Sequence, residues 1–239
     1  MDITLTSVSG IKEAILSLYV SKRNLTKEKE EEITDICNQC LDENGFLKQT
    51  LSCNQLGKLL TYKDKLYKYG IEYGHTTLLR FIDFSFITRD LHRGAQDDLD
   101  AHAWRMENRI IRSSTRLATF ENGELSDYYK NKIMTTDEAL VRKGIVLPQE
   151  IFLDEGKYVY NGHGYILEEH GHDQDVVRGL YRLSIPSNCI WKASAPALRH
   201  IFALRGPGSN AHPELQDMMD KMMTEISSKT ILSDLIMSK

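Results

Sequence analysis

"YGHTTLLRFIDFSF", Tyr73 to Phe86, carries three signals in succession. Gly74 closes a helical pattern that runs from Leu56 to Tyr73. His75 to Leu79 has the composition of a further short helix. From Phe81 to Thr88 (FIDFSFIT) aromatic or aliphatic residues alternate with small or polar ones, the period of a half-buried strand. Helix, turn and strand in direct succession point to mixed architecture.

Upstream, Ile3 to Val8 alternates like a short strand, and Ser9-Gly10 turns the chain. Ile11, Ala14, Ile15, Leu18 and Tyr19 mark one face of a helix from Ile11 to Lys22. Thr26 to Asn44 reads as a second helix. Its acidic opening (KEKEEE) suits the positive end of the helix dipole, and Asn44-Gly45 ends it. Gly57 and Gly70 interrupt the third helix. Downstream, helical patterns run over Ser126 to Lys143, Asp175 to Leu183, Ala195 to Leu204 and Pro213 to Ile226. Asn161-Gly162 lies between β-prone runs in "KYVYNGHGYIL", a hairpin signal. The sum is an α+β fold: helices around a modest, mostly antiparallel sheet. The expected organisation is one domain over 1–239, with a hairpin elaboration near 150–170.

Hydrophobic residues make up 41 % and charged residues 27 % of the 239, a globular composition. The net charge of −4 argues against general nucleic-acid binding. No apolar run approaches the roughly 18 residues of a spanning helix, and MDITLTSVSG lacks a secretory pattern. Cys37 and Cys40 form one CxxC with no second pair, so packed free thiols in a reducing, cytoplasmic setting are expected. His163, His170 and His172, beside Glu168, Glu169 and Asp173, offer only a general ligand set in an acidic loop, and no functional metal is expected.

"RMENRIIRSSTRLATF" (Arg105 to Phe120) spaces Arg105, Arg109, Arg112 and Arg116 by four, three and four. On a helix they would form one stripe. One reading is a solvated face paired with Asp97, Asp98, Asp100 and Glu107. The other is an anion site: all four cations are Arg, whose planar fork binds phosphate or carboxylate bidentately. Ser113, Ser114 and Thr115 add hydroxyls. Arg178, Arg182, Arg199 and Arg205 form a second cluster, and His200 lies on the Ala195 to Leu204 helix.

Three segments, in order, resemble the flavin-dependent thymidylate synthases. "YGHTTLLRFIDFSF" is similar to that family's Gly-His, short helix and Phe-x-Phe strand. "SSTRL" (Ser113 to Leu117) occupies the place of its Ser-x-Arg-Tyr. "RLSIP" (Arg182 to Pro186) and "LRHIFALRGPGSNAHPEL" (Leu198 to Leu215) resemble its Arg-x-x-Leu-Pro, its Leu-x-Leu-Arg helix and its Ala-Gln-x-Glu-Ile. The resemblance covers most of the chain at low identity. It implies that Ser114, Arg116 and Arg182 hold the nucleotide. It implies that Arg205 reaches the pyrimidine and is the catalytic residue, stabilising charge on the ring. It places His75 and His200 near the flavin, with Arg105 and Arg109 where the family grips FAD. The reaction implied joins a one-carbon unit to C5 of dUMP. FAD is the cofactor, methylenetetrahydrofolate the carbon donor and NADPH the hydride source, and the enzyme is a homotetramer without nucleic-acid or membrane partners.

The departures are specific. The Arg-His-Arg that opens the family hallmark is missing; Trp104-Arg105-Met106 stands there when counted back from Arg116. The hallmark Asn-Glu becomes Ile111-Arg112, the tyrosine after the final arginine is Leu117, and an acidic residue expected before Arg182 is Gly179. Two rival readings follow. One is an enzyme of the same fold acting on UMP or dCMP. The other is a catalytically degenerate relative that binds a nucleotide or only oligomerises.

Overall fold

The computed structural model describes residues 1–100, 109–113, 151–154, 157–160 and 186–237. Strand β1 (Asp2–Ser9) leads into α1 (Ile11–Val20), α2 (Lys27–Cys40) and α3 (Cys53–Tyr67), then a π turn (Lys68–Glu72) and a 3-10 turn (Thr76–Phe81). Strand β2 (Asp83–His92), helix α4 (Arg93–Asp100) and strand β3 (Arg109–Arg112) follow. Next come β4 (Ile151–Asp154), β5 (Lys157–Tyr160), β6 (Pro186–Ser194) and three helices, α5 (Ala195–Arg205), α6 (Pro213–Lys229) and α7 (Ser233–Ile236). Four strands form one sheet in the order β1-β2-β6-β3, and β4 pairs with β5. This is the expected α+β class.

By its contacts the chain divides into two compact units. The larger comprises Ile3–Thr88, Asp98–Ile111 and Ile190–Lys239; the smaller comprises Met1–Asp2, Arg89–Asp97 and Arg112–Cys189. In the larger unit the alternation read in FIDFSFIT holds: Ile82, Phe84, Phe86 and Thr88 are all buried. Phe86 stacks on Trp191 with ring centroids 5.8 Å apart. Ile11, Ala14, Ile15 and Leu18 of α1, Ile33 and Ile36 of α2, and Met218, Met219 and Met222 of α6 complete the core. Each large apolar side chain contributes roughly 1.5–3 kcal/mol on burial. Cys37 and Cys40 pack on the inner face of α2. Burial, more than the neighbouring Cys40, pushes the Cys37 thiol up to about 11.

Capping explains the helix starts. Thr26 accepts from the Lys29 amide at the head of α2. Ser52 and Gln55 form a reciprocal capping box on α3. Gly10 adopts φ +78, and a Cβ there would lie 1.8 Å from the Phe81 carbonyl oxygen. Only glycine fits that close, left-handed turn.

In the smaller unit the Met1 ammonium donates to Asp90 at 3.2 Å and Arg89 pairs with Asp2 at 2.8 Å. The Gln96 amide donates to the carbonyls of Leu91 and Ser187. The Ser113 amide donates to the Asn188 carbonyl at 2.9 Å.

One sequence expectation changes. Arg109 and Arg112 do not share a helical stripe, because residues 109–112 are strand β3. Positions three apart on a strand face opposite ways, and the β-branched Ile110-Ile111 pair suits a strand better than a helix. Strand β6, which the sequence reading did not assign, begins at Pro186, and Cys189 is buried within it. In the 150–170 region the described hairpin joins Ile151–Asp154 to Lys157–Tyr160, with Asp154 opposite Lys157. Asn161-Gly162, the helices read over Ser126 to Lys143 and Asp175 to Leu183, and the histidines His163, His170 and His172 lie outside the described residues.

Candidate active site

The site begins with the way the chain leaves α3. The π turn carries the helix one residue past its register. Gly74, at φ +72, then reverses the chain, which glycine does without steric cost. The His75 amide donates back to the Tyr69 carbonyl at 3.0 Å. His75 thus stands at the head of the 3-10 turn Thr76–Phe81. Gly70 lets this turn close on the π turn, since a Cβ at Gly70 would lie 2.8 Å from Leu79 Cγ.

Residues i and i+3 of a 3-10 helix eclipse one another, so the turn has distinct faces. Thr76 and Leu79 line one pocket of about 360 Å³ with Arg199, His200, Phe202 and Ile236. His75 and Leu78 line a second, of about 550 Å³, with Ser21, Lys22, Tyr69 and Thr77. Both volumes fall in the range of small-molecule sites. The turn is therefore a wall common to two pockets.

Helix α5 is fixed to this wall from its first residue. The Ala195 amide donates to the Ile82 carbonyl at 2.8 Å. Ser194 caps the helix by accepting from the Ala197 amide, and Pro196 suits the first turn, where its missing N–H costs nothing. Arg199 Nη1 reaches the Leu235 carbonyl at 3.4 Å, tying α5 to α7. His200 is exposed into the first pocket. Arg205 ends α5, half-buried, and its Nε is buried with no hydrogen-bond partner among the described residues. It lies 5 residues beyond His200, about 140° around the helix, and does not line the His200 pocket.

Arg109 Nη2 donates to Asp83 Oδ2 at 2.8 Å, and Lys192 Nζ lies 3.2 Å from the same oxygen. Arg112 pairs with Asp97, the partner named by the salt-bridge reading of the sequence. Of the residues singled out from sequence, His75 and His200 come to the two pockets that share the 3-10 turn. Arg205 and Arg109 stand elsewhere in the same unit. Arg105, Ser114, Arg116 and Arg182 lie outside the described residues.

Sequence reasoning missed Lys22 and Tyr69. The Lys22 ammonium sits 3.7 Å from the centroid of the Tyr69 ring.

This fold is that of solved flavin-dependent thymidylate synthases. ThyX from Helicobacter pylori, complexed with FAD and dUMP, superposes with a TM-score of 0.56 at 14 % identity, covering 94 % of this chain and 93 % of that one. A second structure of the same enzyme with FAD and dUMP gives 0.57 at 15 %, with both chains covered in full. The UMP/dUMP methylase PolB from Streptomyces cacaoi, bound to 5-Br dUMP, gives 0.59 at 16 %, covering 98 % and 93 %. The chain itself belongs to the thymidylate synthase complementing protein family, whose sequence profile matches residues 23–230. No curated protein sequence matches it. Among the described residues, no helix is long and apolar enough to cross a membrane.

Proposed function

We propose that the chain is a cytoplasmic, homotetrameric enzyme that transfers a one-carbon unit from methylenetetrahydrofolate to C5 of dUMP, with FAD as its resident cofactor and NADPH as hydride source. The observation that carries this reading is the family match over residues 23–230, with His75 and His200 lining two pockets that share a wall.

The described residues fit a flavin. Such a ring system needs flat apolar walls and a few polar contacts at its edge. Leu79 and Phe202 offer apolar walls beside the His200 ring nitrogens in one pocket, and Leu78 does so beside the His75 ring nitrogens in the other. Bound FAD supplies the electron transfer, and the protein supplies placement and electrostatics. His75 and His200 orient the cofactor. Ser114, Arg116 and Arg182 anchor the nucleotide phosphate, so that remote binding energy fixes C5 in position. Arg205 lies against the pyrimidine carbonyls and stabilises the enolate-like charge that develops as C5 becomes nucleophilic.

The likeness to PolB supports a second reading, in which UMP is accepted beside or instead of dUMP. One purified sample tests both. Retained absorbance near about 370 and 450 nm after desalting establishes a bound flavin. Release of tritium from C5-labelled dUMP, UMP and dCMP then ranks the bases and sugars. Failure to bind flavin, with or without nucleotide, removes the redox reading and leaves a nucleotide-binding relative.

A further inference from the structure

Lys22 lines the His75 pocket, and Lys65 and Lys68 stand on the end of α3 and the start of the π turn that carries Tyr69, in a chain of net charge −4. Lys22 lies over Tyr69, and Lys68 lies 5.8 Å from the centroid of Tyr73. The two rings meet edge to face at 5.5 Å. Lys65 donates to the Tyr19 hydroxyl at 3.2 Å. The Tyr69 phenol is held below its ordinary value, first by its hydrogen bond from Lys22 and then by the charges of Lys22, Lys68 and Lys65. Among the described residues none of the three is within ion-pair distance of a carboxylate.

Tyrosine faces attract ammoniums but use few of their donors, because each ammonium carries three N–H groups. The lysines are therefore positioned and still able to bind an anion. We propose that Lys22, Lys65 and Lys68 form a phosphate subsite for the ligand whose ring enters the His75 pocket. The proposal rests on the flavin reading above. It assigns to these lysines the cationic grip that the missing Arg-His-Arg leaves unfilled. The phosphates are those of the flavin dinucleotide or that of the nucleotide substrate; phosphate chemistry is common to both.

The test compares wild type with K22A, with the triple variant K22A/K65A/K68A and with K22R. Circular dichroism checks folding; all three lysines are exposed and their removal leaves the core intact. Affinities for FAD, riboflavin, dUMP and inorganic pyrophosphate are measured by calorimetry or fluorescence at two salt concentrations. Loss of about tenfold or more in FAD affinity in the triple variant, with riboflavin unchanged and K22R near wild type, supports the subsite with the dinucleotide as its source. The same loss for dUMP alone supports it with the substrate as source. If wild type binds no flavin, the functional reading fails separately; weaker pyrophosphate binding in the triple variant then still supports the subsite. Unchanged affinity for all the phosphate-bearing ligands and for pyrophosphate overturns it.

Discussion

Replacing His75 or His200 by alanine removes a ring nitrogen from an exposed position on a pocket wall. Each variant should fold with wild-type thermal stability and lose about tenfold in flavin affinity, the worth of one lost polar contact of roughly 1–1.5 kcal/mol. Titration of apoprotein with FAD checks this, and unchanged affinity in both would remove them from the cofactor site. Arg109 poses a different question, because Asp83 already holds its guanidinium. Arg109 is largely exposed, but Asp83 is only 17 % exposed and also holds Lys192. Asp83→Asn should therefore cost about 1–2 kcal/mol while freeing Arg109 and raising flavin affinity; a fall or no change in that affinity would confine Arg109 to a structural pair. A third prediction concerns Cys37. Its thiol ordinarily titrates near 9 and is pushed up to about 11 in the fold. A raised folded value means that stability is intact below about pH 9 and is lost as pH climbs toward 11, by roughly 2–3 kcal/mol. Urea unfolding at pH 8 and pH 10.5 should show that loss, and C37A should lack it. Cys53, the exposed cysteine, should be the first to react with a thiol reagent at pH 8.

At the scale of the element, Gly70 decides how tightly two turns pack. Gly70→Ala places a methyl 2.8 Å from Leu79 Cγ. Overpacking of this kind costs about 1–3 kcal/mol, and the displaced Leu79 should weaken ligand binding at the His200 pocket more than at the His75 pocket. A lowered melting temperature with unequal loss of the two affinities checks this. The same elements show what a sequence reveals. The helices α1, α2, α5 and α6 were legible because one apolar face repeats at 3.6 residues and capping residues mark their starts. Strand β2 was legible because Phe84, Phe86 and Thr88 follow the strand period. Strand β3 was not, since arginines spaced four, three and four imitate a helix, and cross-strand pairing outweighed that pattern. Strand β6 also escaped notice. Its buried set, Ser187, Cys189, Trp191 and Ala193, keeps a period of two, yet Pro186, Ser187 and Asn188 read locally as a turn and Ile190 faces outward. His75 and His200, which line the two pockets, were singled out through their motifs. Lys22 and Tyr69 were not, because a lysine over a tyrosine belongs to no pattern of the family and becomes visible only when α1 and the π turn are placed in space.

For the whole molecule, the family assignment covers residues 23–230, while the arginines expected at the nucleotide stand partly outside the described residues. Assembly matters here, since sites in the proposed tetramer would draw residues from several subunits. Light scattering should give a mass about four times the 27.4 kDa chain. Mixing an Arg205→Ala variant with a His75→Ala variant should restore part of the activity lost by each alone, if the two residues serve one site from different subunits. A monomer, or no recovery on mixing, would confine each site to one chain.

The 3-10 turn Thr76–Phe81 belongs to both pockets at once. A ligand that orders Thr76 and Leu79 in one pocket also fixes His75 and Leu78 in the other. The second ligand then meets a wall whose ordering has already been done. Such linkage is reciprocal: if occupancy of one pocket raises affinity at the other by some factor, the converse factor must be the same. The order in which two molecules arrive would then be a property of a six-residue turn rather than of either ligand.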